Sequence, residues 1–296
     1  VFFGIGSNGL PDLQSVDTSV AQQARAMLVS HYFGLAQSLH GVRAWCDSND
    51  IALIEDCAHC YFGQAGERPI GAWGDYCTAS LSKFFPVPEA GLLGSAMHPI
   101  RPMLLAPQGL KAQIKGLVDV LETSVRYLRL SGLNSVLSSI FRLKPGALAV
   151  SIPPPPLASA TSATMLEGCN MDRISFKPLI VSRLLQHLLP RNRIIALRHR
   201  NFKLYEHLLS NVPNTRPLIA MPNQPVAPYV FPLWVDDADR VYQALRAQGV
   251  AVFRWDQIWH GTPTLAHDVG ADWSRHVLQL LCHQDLTAID IKHSAN

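Results

Sequence analysis

Three short apolar runs in the first third of the chain constrain the fold more than any other feature. AMLVSH (26–31), IALIED (51–56) and DYCTASLS (75–82) are each short enough for one buried strand. Between the first two lies LAQSLHGVRAWCDSND (35–50), which places Leu39, Val42, Trp45 and Cys46 at helical spacing and ends polar. Strand, helix, strand at these lengths reads as a βαβ crossover, and a crossover joins parallel strands. Ligands of such sheets bind beyond the carboxyl ends of the strands. Asp56 and Lys83 both stand there, each just past an apolar run.

The rest of the chain supplies enough apolar material to bury such a sheet. Of 296 residues, 48% are hydrophobic and 16% charged, which predicts a large core and argues against wholesale disorder. The net charge is only +3 and no dense Lys/Arg block occurs, so nucleic acid is not indicated as a partner. Cysteines 46, 57, 60, 77, 169 and 282 form no spaced framework of the secreted kind, and several sit in apolar runs, which fits a reducing cytoplasm. No apolar stretch is long enough to span a bilayer, and VFFGIGSNGLPDLQ lacks the basic region of a signal peptide. A start at Val rather than Met points to a trimmed chain or a fragment.

Further along, residues 110–144 read as one long helix with Leu110, Ile114, Leu117, Leu121, Val125 and Leu128 on one face. That face predicts packing against the protein's own core or a second subunit, with a membrane surface the weaker alternative. KPGALAVSIPPPPLASATSAT (144–164) is the clearest linker. Residues 176–211 then read as a helix broken near Pro190. YVFPLWV (229–235), ADRVYQALRAQ (238–248) and VAVFRW (250–255) form a second, smaller α/β unit, with Gly249 at a helix C-cap. The expected organisation is a parallel-sheet domain over 1–165 and a smaller C-terminal α/β domain over 166–296.

Three residues carry the chemistry. Asp56 either caps the following turn or pairs with a cationic ligand group. Ser80 stands three positions before Lys83, and Lys83 is either a solvated loop lysine or a reactive amine. Asp56, Cys57, His59 and Cys60 are metal-ligand types in close order, but a Cys/His zinc site needs a second pair at defined spacing and none is evident, so no metal is expected. His31, His260, His267 and His283 are scattered, and FRWDQIW (253–259) reads as packing.

Taken together, residues 31–91 resemble the DegT/DnrJ/StrS family of sugar aminotransferases. The family's His-x-x-Gly corresponds to His31 and Gly34, and its Asp-Ala-Ala-Gln/His to Asp56-Cys57-Ala58-His59. Its Gly-Asp before a strand bearing Ser and Lys corresponds to Gly74-Asp75, Ser80 and Lys83. RISFKPLIVSRLL (173–185) and VLQLLCHQDLT (277–287) resemble later family segments. The resemblance implies a pyridoxal-phosphate-dependent transferase of fold type I, with a large parallel-sheet domain truncated at its N-terminus and a small C-terminal domain. It implies transfer of an amino group from glutamate to a nucleotide-linked keto-sugar, in polysaccharide or secondary-metabolite biosynthesis, by a cytoplasmic homodimer.

By the same resemblance, Lys83 bonds the pyridoxal phosphate aldehyde and moves the substrate proton, and Asp56 faces the pyridine nitrogen. His59 lies close to the ring, and Ser80 donates to the phosphate. The family pattern also fails in places. Ala90 replaces the first of two glycines, Met171 stands where an Asn is usual with Asn170 one place early, and nothing in residues 1–30 supplies a Gly-Thr-type phosphate turn. These departures keep a second reading open: a non-catalytic relative with an interaction or regulatory role. A dehydratase of the same fold would carry His in place of Lys83.

Overall fold

The computed structural model describes residues 1–142, 171–223, 226–255, 258 and 261–295. Strands β1 (Ala26–Ser30), β2 (Ala52–Asp56), β3 (Tyr76–Ser80) and β4 (Gly91–Gly94) form the first sheet in that order. The first three are parallel, as the crossover pattern predicts, with Ser30 opposite Asp56 and Asp56 opposite Thr78. β4 runs antiparallel to β3, placing Gly91 opposite Ser80. The sheet is therefore mixed rather than all-parallel. GLLG is too short and glycine-flanked to announce a strand, and it is held by its hydrogen bonds to β3.

Helix α1 (His40–Ser48) is the crossover between β1 and β2 and covers one face of this sheet. Val42 and Cys46 pack on Met27, Val29 and Leu53, with Trp73 closing the cluster. Successive strand residues point to opposite faces, so the other face carries Leu28, Tyr76 and Leu93, exposed at 55%, 38% and 42%. Parallel sheets are usually covered on both sides; among the described residues this face is largely open, with the His98 ring 5.7 Å from that of Tyr76.

Within the described residues 110–142, the single helix expected over 110–144 is broken in two. Helix α2 (Leu110–Arg126) stops, and α3 (Asn134–Arg142) follows. Leu128 takes a left-handed φ of 55°, and the amides of Leu128 and Arg129 donate back to Val125 and Ser124. This is a Schellman-type stop, with Gly132 at φ 82° continuing the turn. A leucine in that conformation gives no sequence signal, whereas Gly249 closes its helix the same way and was legible. The proline-rich linker and the 165/166 boundary lie outside the described residues.

The second unit has helices α4 (Ile180–Leu188) and α5 (Arg191–Leu208), separated at Pro190 as expected. Its sheet, ordered β5 (Thr215–Pro217), β6 (Val230–Val235), β8 (Val277–Leu281), β7 (Val252–Arg254), is antiparallel throughout. α6 (Ala238–Ala247), α7 (Gly270–His276) and α8 (Ala288–Ala295) complete it. Phe202 and Tyr205 of α5 pack on Phe231, and the same core takes in Phe33 and Leu35 from the first unit. The two units touch backbone to backbone at Gly34, where φ is +85° and an added Cβ would fall 2.2 Å from the Tyr229 nitrogen. Only glycine tolerates both conditions. Among the described residues no helix is long and apolar enough to cross a membrane.

Candidate functional site

The turn Leu81–Lys83 follows β3 directly and is fastened by what comes after it. Leu81, Phe84 and Phe85 are buried with Phe62, Val87, Ile194 and Ala227. Burying both phenylalanines anchors the turn and leaves Lys83 half-buried at the carboxyl end of the sheet. Its Nζ lies 5.5 Å from the centre of the Tyr229 ring, so the second unit contributes a wall to the site.

Asp56 ends β2 on the open face, level with Ser30 and Thr78. One carboxylate oxygen accepts from the Ala58 amide at 2.9 Å and the other from the Ser30 hydroxyl at 3.3 Å. The turn-bracing reading of this residue is met, and its carboxylate is half-buried. Ser80 shares the face two residues beyond Thr78, with its hydroxyl 3.3 Å from that of Ser82.

His59 stacks on Tyr229, ring centres 4.6 Å apart and planes 26° from parallel. Burial, reinforced by the nearby Lys83 cation and opposed by Asp56, brings its imidazole down to about 4. It is therefore neutral at pH 7. Asp56, His59, Tyr229 and Lys83 thus form one cluster, drawn from β2, the turn after it, the β3 turn and the strand entry of the second unit.

This depression has a consequence for stability. Below the ordinary histidine value of 6.5, an unfolded chain takes up a proton that folded His59 refuses until about pH 4. Stability is therefore expected to be full above pH 6.5 and to fall as pH drops toward 4, by up to ~3 kcal/mol from this residue. His283, brought down to about 4 by burial and by Arg198, adds in the same direction. Urea midpoints measured across that window should fall less steeply in His59→Gln; an unchanged slope would refute the assignment.

The neighbour of Asp56 faces the other way. Glu55 is 0% exposed and accepts from the amides of Trp73 (2.7 Å), Gly74 (2.6 Å) and Gly71 (3.3 Å), while His31 Nε2 lies 2.8 Å from Oε2. Burial pushes Glu55 up, but the bonds from His31, Gly74 and Trp73 outweigh it and hold the carboxyl below its usual range. His31, Glu55 and Cys57 bring ligand atoms within 4.8 Å of one another. Their geometry is that of a closed hydrogen-bond network, since Glu55 is saturated with donors and burial pushes the Cys57 thiol far up. His31 and Gly74 thereby acquire structural roles. Asp75 does too, pairing with Arg43 at 2.7 Å and accepting from the Leu53 amide at 2.7 Å.

Of the other positions singled out, Met171 is exposed, and Asn170 and His260 lie outside the described residues. Ala90 accepts the Leu81 amide through its carbonyl at 3.0 Å, so an alanine is accommodated there. Sequence reasoning did not find Tyr229, Thr78 or Arg198. Arg198 is 1% exposed and donates to the Lys83 carbonyl at 2.7 Å. Only chain folding brings residues 83, 198 and 229 together, so no local signal marked them.

The donor set suits pyridoxal phosphate by its chemistry: a carboxylate for a protonated ring nitrogen, an amine for an aldehyde, and paired hydroxyls for phosphate oxygens. Residues 1–93 match the model of the DegT/DnrJ/EryC1/StrS aminotransferase family. GDP-perosamine synthase of Vibrio cholerae is 27% identical over 85 residues, 28% of this chain and 23% of that protein. UDP-N-acetyl-3-dehydro-alpha-D-glucosamine 3-aminotransferase of Acidithiobacillus ferrooxidans is 26% identical over 82 residues, 28% of this chain and 21% of that protein. The chain thus spans about a quarter of the length of the curated relatives it matches.

Likeness in fold extends further. A Helicobacter pylori aminotransferase involved in the biosynthesis of pseudoaminic acid superposes with a TM-score of 0.64 at 15% identity, covering 100% of this chain and 71% of that one. A DegT DnrJ EryC1 StrS aminotransferase from Brucella abortus gives 0.63 at 15%, with the same coverage. Residues 1–93 therefore carry the sequence pattern of the DegT/DnrJ/EryC1/StrS aminotransferase family, and the chain carries the fold of its solved sugar aminotransferases.

Proposed function

We propose that this protein is a pyridoxal-phosphate-dependent aminotransferase that moves an amino group from glutamate to a keto-sugar carried on a nucleotide. The observation that supports this most is the convergence of Asp56, His59 and Lys83 at the carboxyl end of the parallel strands. Bound pyridoxal phosphate supplies an electron sink for the substrate carbanion. Asp56 would face the ring nitrogen and favour its protonated form. Lys83 Nζ would be the amine that condenses with the cofactor aldehyde, releasing water, and when free it would be the base that takes and returns the proton at the substrate carbon. His59, neutral at pH 7, would flank the ring without adding a competing positive charge, and Ser80 would offer its hydroxyl to the phosphate.

The keto-sugar assignment draws on relatives whose names carry GDP- and UDP-linked sugars. Another is named as an L-glutamine:2-deoxy-scyllo-inosose aminotransferase, so glutamine is the natural second donor to try. The test is to add pyridoxal phosphate, follow its visible absorbance, then supply each donor with nucleotide-linked keto-sugars and detect amino-sugar by mass spectrometry. Saturable binding with conversion is expected. Neither binding nor conversion would favour the non-catalytic relative.

We also propose that the active form is a homodimer. Leu110, Ile114 and Leu117 on α2, with Val136 and Ile140 on α3, leave an apolar stripe exposed. Sedimentation should show self-association; a monomer at all concentrations would exclude it.

A further inference from the structure

Arg198 is a charge almost wholly withdrawn from water, and among the described residues no carboxylate lies within ion-pair distance of it. Its fork is spent on neutral oxygens. Nη2 donates to the Lys83 carbonyl at 2.7 Å, Nη1 to the Pro228 carbonyl at 3.2 Å, and Nε to Gln284 Oε1 at 2.7 Å. Gln284 in turn donates to the Phe84 carbonyl at 3.1 Å, and the guanidinium lies 4.7 Å from the Phe84 ring centre. The carbonyls of two successive residues, 83 and 84, are thus gripped by one arginine–glutamine pair from the second unit.

A buried cation without a counter-charge is costly, and proteins usually pair it. Asp285 acts on Arg198 through space but is committed to Arg129 at 3.2 Å. Burial lowers the Arg198 guanidinium to about 10, which leaves it charged at neutral pH. Its field is therefore felt by whatever lies beside it in the same dry surroundings, where one unit charge acts far more strongly than in water.

We propose that Arg198 is the positioning residue of the Lys83 amine, fixing the turn that carries it and, by its buried charge, favouring the neutral, nucleophilic form of that amine. This rests on the reading of Lys83 as the reactive amine. Around Lys83 stand the Tyr229 ring, 5.5 Å from Nζ, and His59 of the turn after β2, whose imidazole feels both Lys83 and Asp56, while Arg198 of α5 holds the Lys83 main-chain carbonyl. Behind Arg198 stand Cys282, His283 and Asp285 of the segment after β8, and Arg129 beyond them. Asp56 opposes the effect of Arg198, while His59 is neutral; Arg198 is the standing cation of the set.

The test reads Lys83 itself, without cofactor. Trinitrobenzenesulfonate labelling of Lys83 is followed against pH by peptide mass spectrometry. Arg198→Met should slow labelling at neutral pH about tenfold and move the profile to higher pH, the size expected for one unit charge lost from partly buried surroundings. Gln284→Glu keeps the contact to Arg198 but neutralises it, and should shift the profile the same way even if Arg198→Met fails to fold. Arg198→Lys retains charge without the fork and should leave the profile near that of the unmutated protein while lowering kcat. Gln284→Leu should likewise leave it in place.

If Gln284→Glu and Gln284→Leu give the same profile, the charge has no such role and the proposal is overturned. Because labelling needs no cofactor, that result is separate from failure of the protein to bind pyridoxal phosphate, which would remove the aminotransferase reading alone.

Discussion

Lys83→Ala is expected to abolish covalent capture of pyridoxal phosphate and all amino-group transfer, whereas Asp56→Asn should keep the capture and lose turnover. The two separate because they act on different atoms. Lys83 is the only amine in the Asp56–His59–Tyr229 cluster among the described residues, so no neighbour can replace its bond to the aldehyde. An amide at position 56 still braces the Ala58 turn but no longer favours a proton on the ring nitrogen. Losing a charge-assisted contact of that kind costs roughly 4 kcal/mol, about a thousandfold in rate. Borohydride reduction followed by peptide mapping checks the first, and single-turnover kinetics the second. A reduced label that persists in Lys83→Ala and maps to another lysine would refute the assignment of the nucleophile.

The largest stability effect is expected at Glu55, outside the reacting cluster but adjacent to it in the chain. Glu55→Leu would strand the amides of Gly71, Trp73 and Gly74 and the His31 ring, all inside the molecule. Leaving such donors unsatisfied costs about 3–5 kcal/mol, a large share of the 5–15 kcal/mol that holds a typical domain. Urea denaturation should show that loss. Glu55→Gln keeps one accepting oxygen and should lie between. A Glu55→Leu protein with an unmoved midpoint would mean that the network contributes nothing. Asp56 follows Glu55 on the same strand, so weakening this anchor should also loosen the Asp56 carboxylate.

Much of the first unit was legible because its rules are local. AMLVS, ALIED and YCTAS are apolar runs of strand length separated by a crossover, and chain chirality and hydrogen-bond geometry leave a parallel arrangement as the natural outcome. Carboxyl-end placement of Asp56 and Lys83 follows from that order without any three-dimensional knowledge. The break at Pro190 and the cap at Gly249 were legible for the same reason, since proline and glycine restrict or free their own backbone.

What escaped is non-local. Leu128 stops a helix in a conformation its side chain does not advertise, and GLLG becomes a strand only because YCTAS offers it a partner. Adjacent carboxylates, Glu55 and Asp56, read alike in the chain, yet the pleat sends one into a buried network and the other to the candidate site.

The sequence by itself determined the βαβ order and the chemical types available at the sheet's edge, because periodicity and backbone sterics act within a few residues. The tertiary structure alone decided that Tyr229 stacks on His59, that Gly34 meets Tyr229 backbone to backbone, and that Arg198 grips the Lys83 turn. Those contacts join residues more than a hundred positions apart. They exist because two hydrophobic cores share Phe33, Leu35, Ile194 and Ala227 across the units. Burial of apolar surface has no preferred sequence separation, so no window along the chain can contain it.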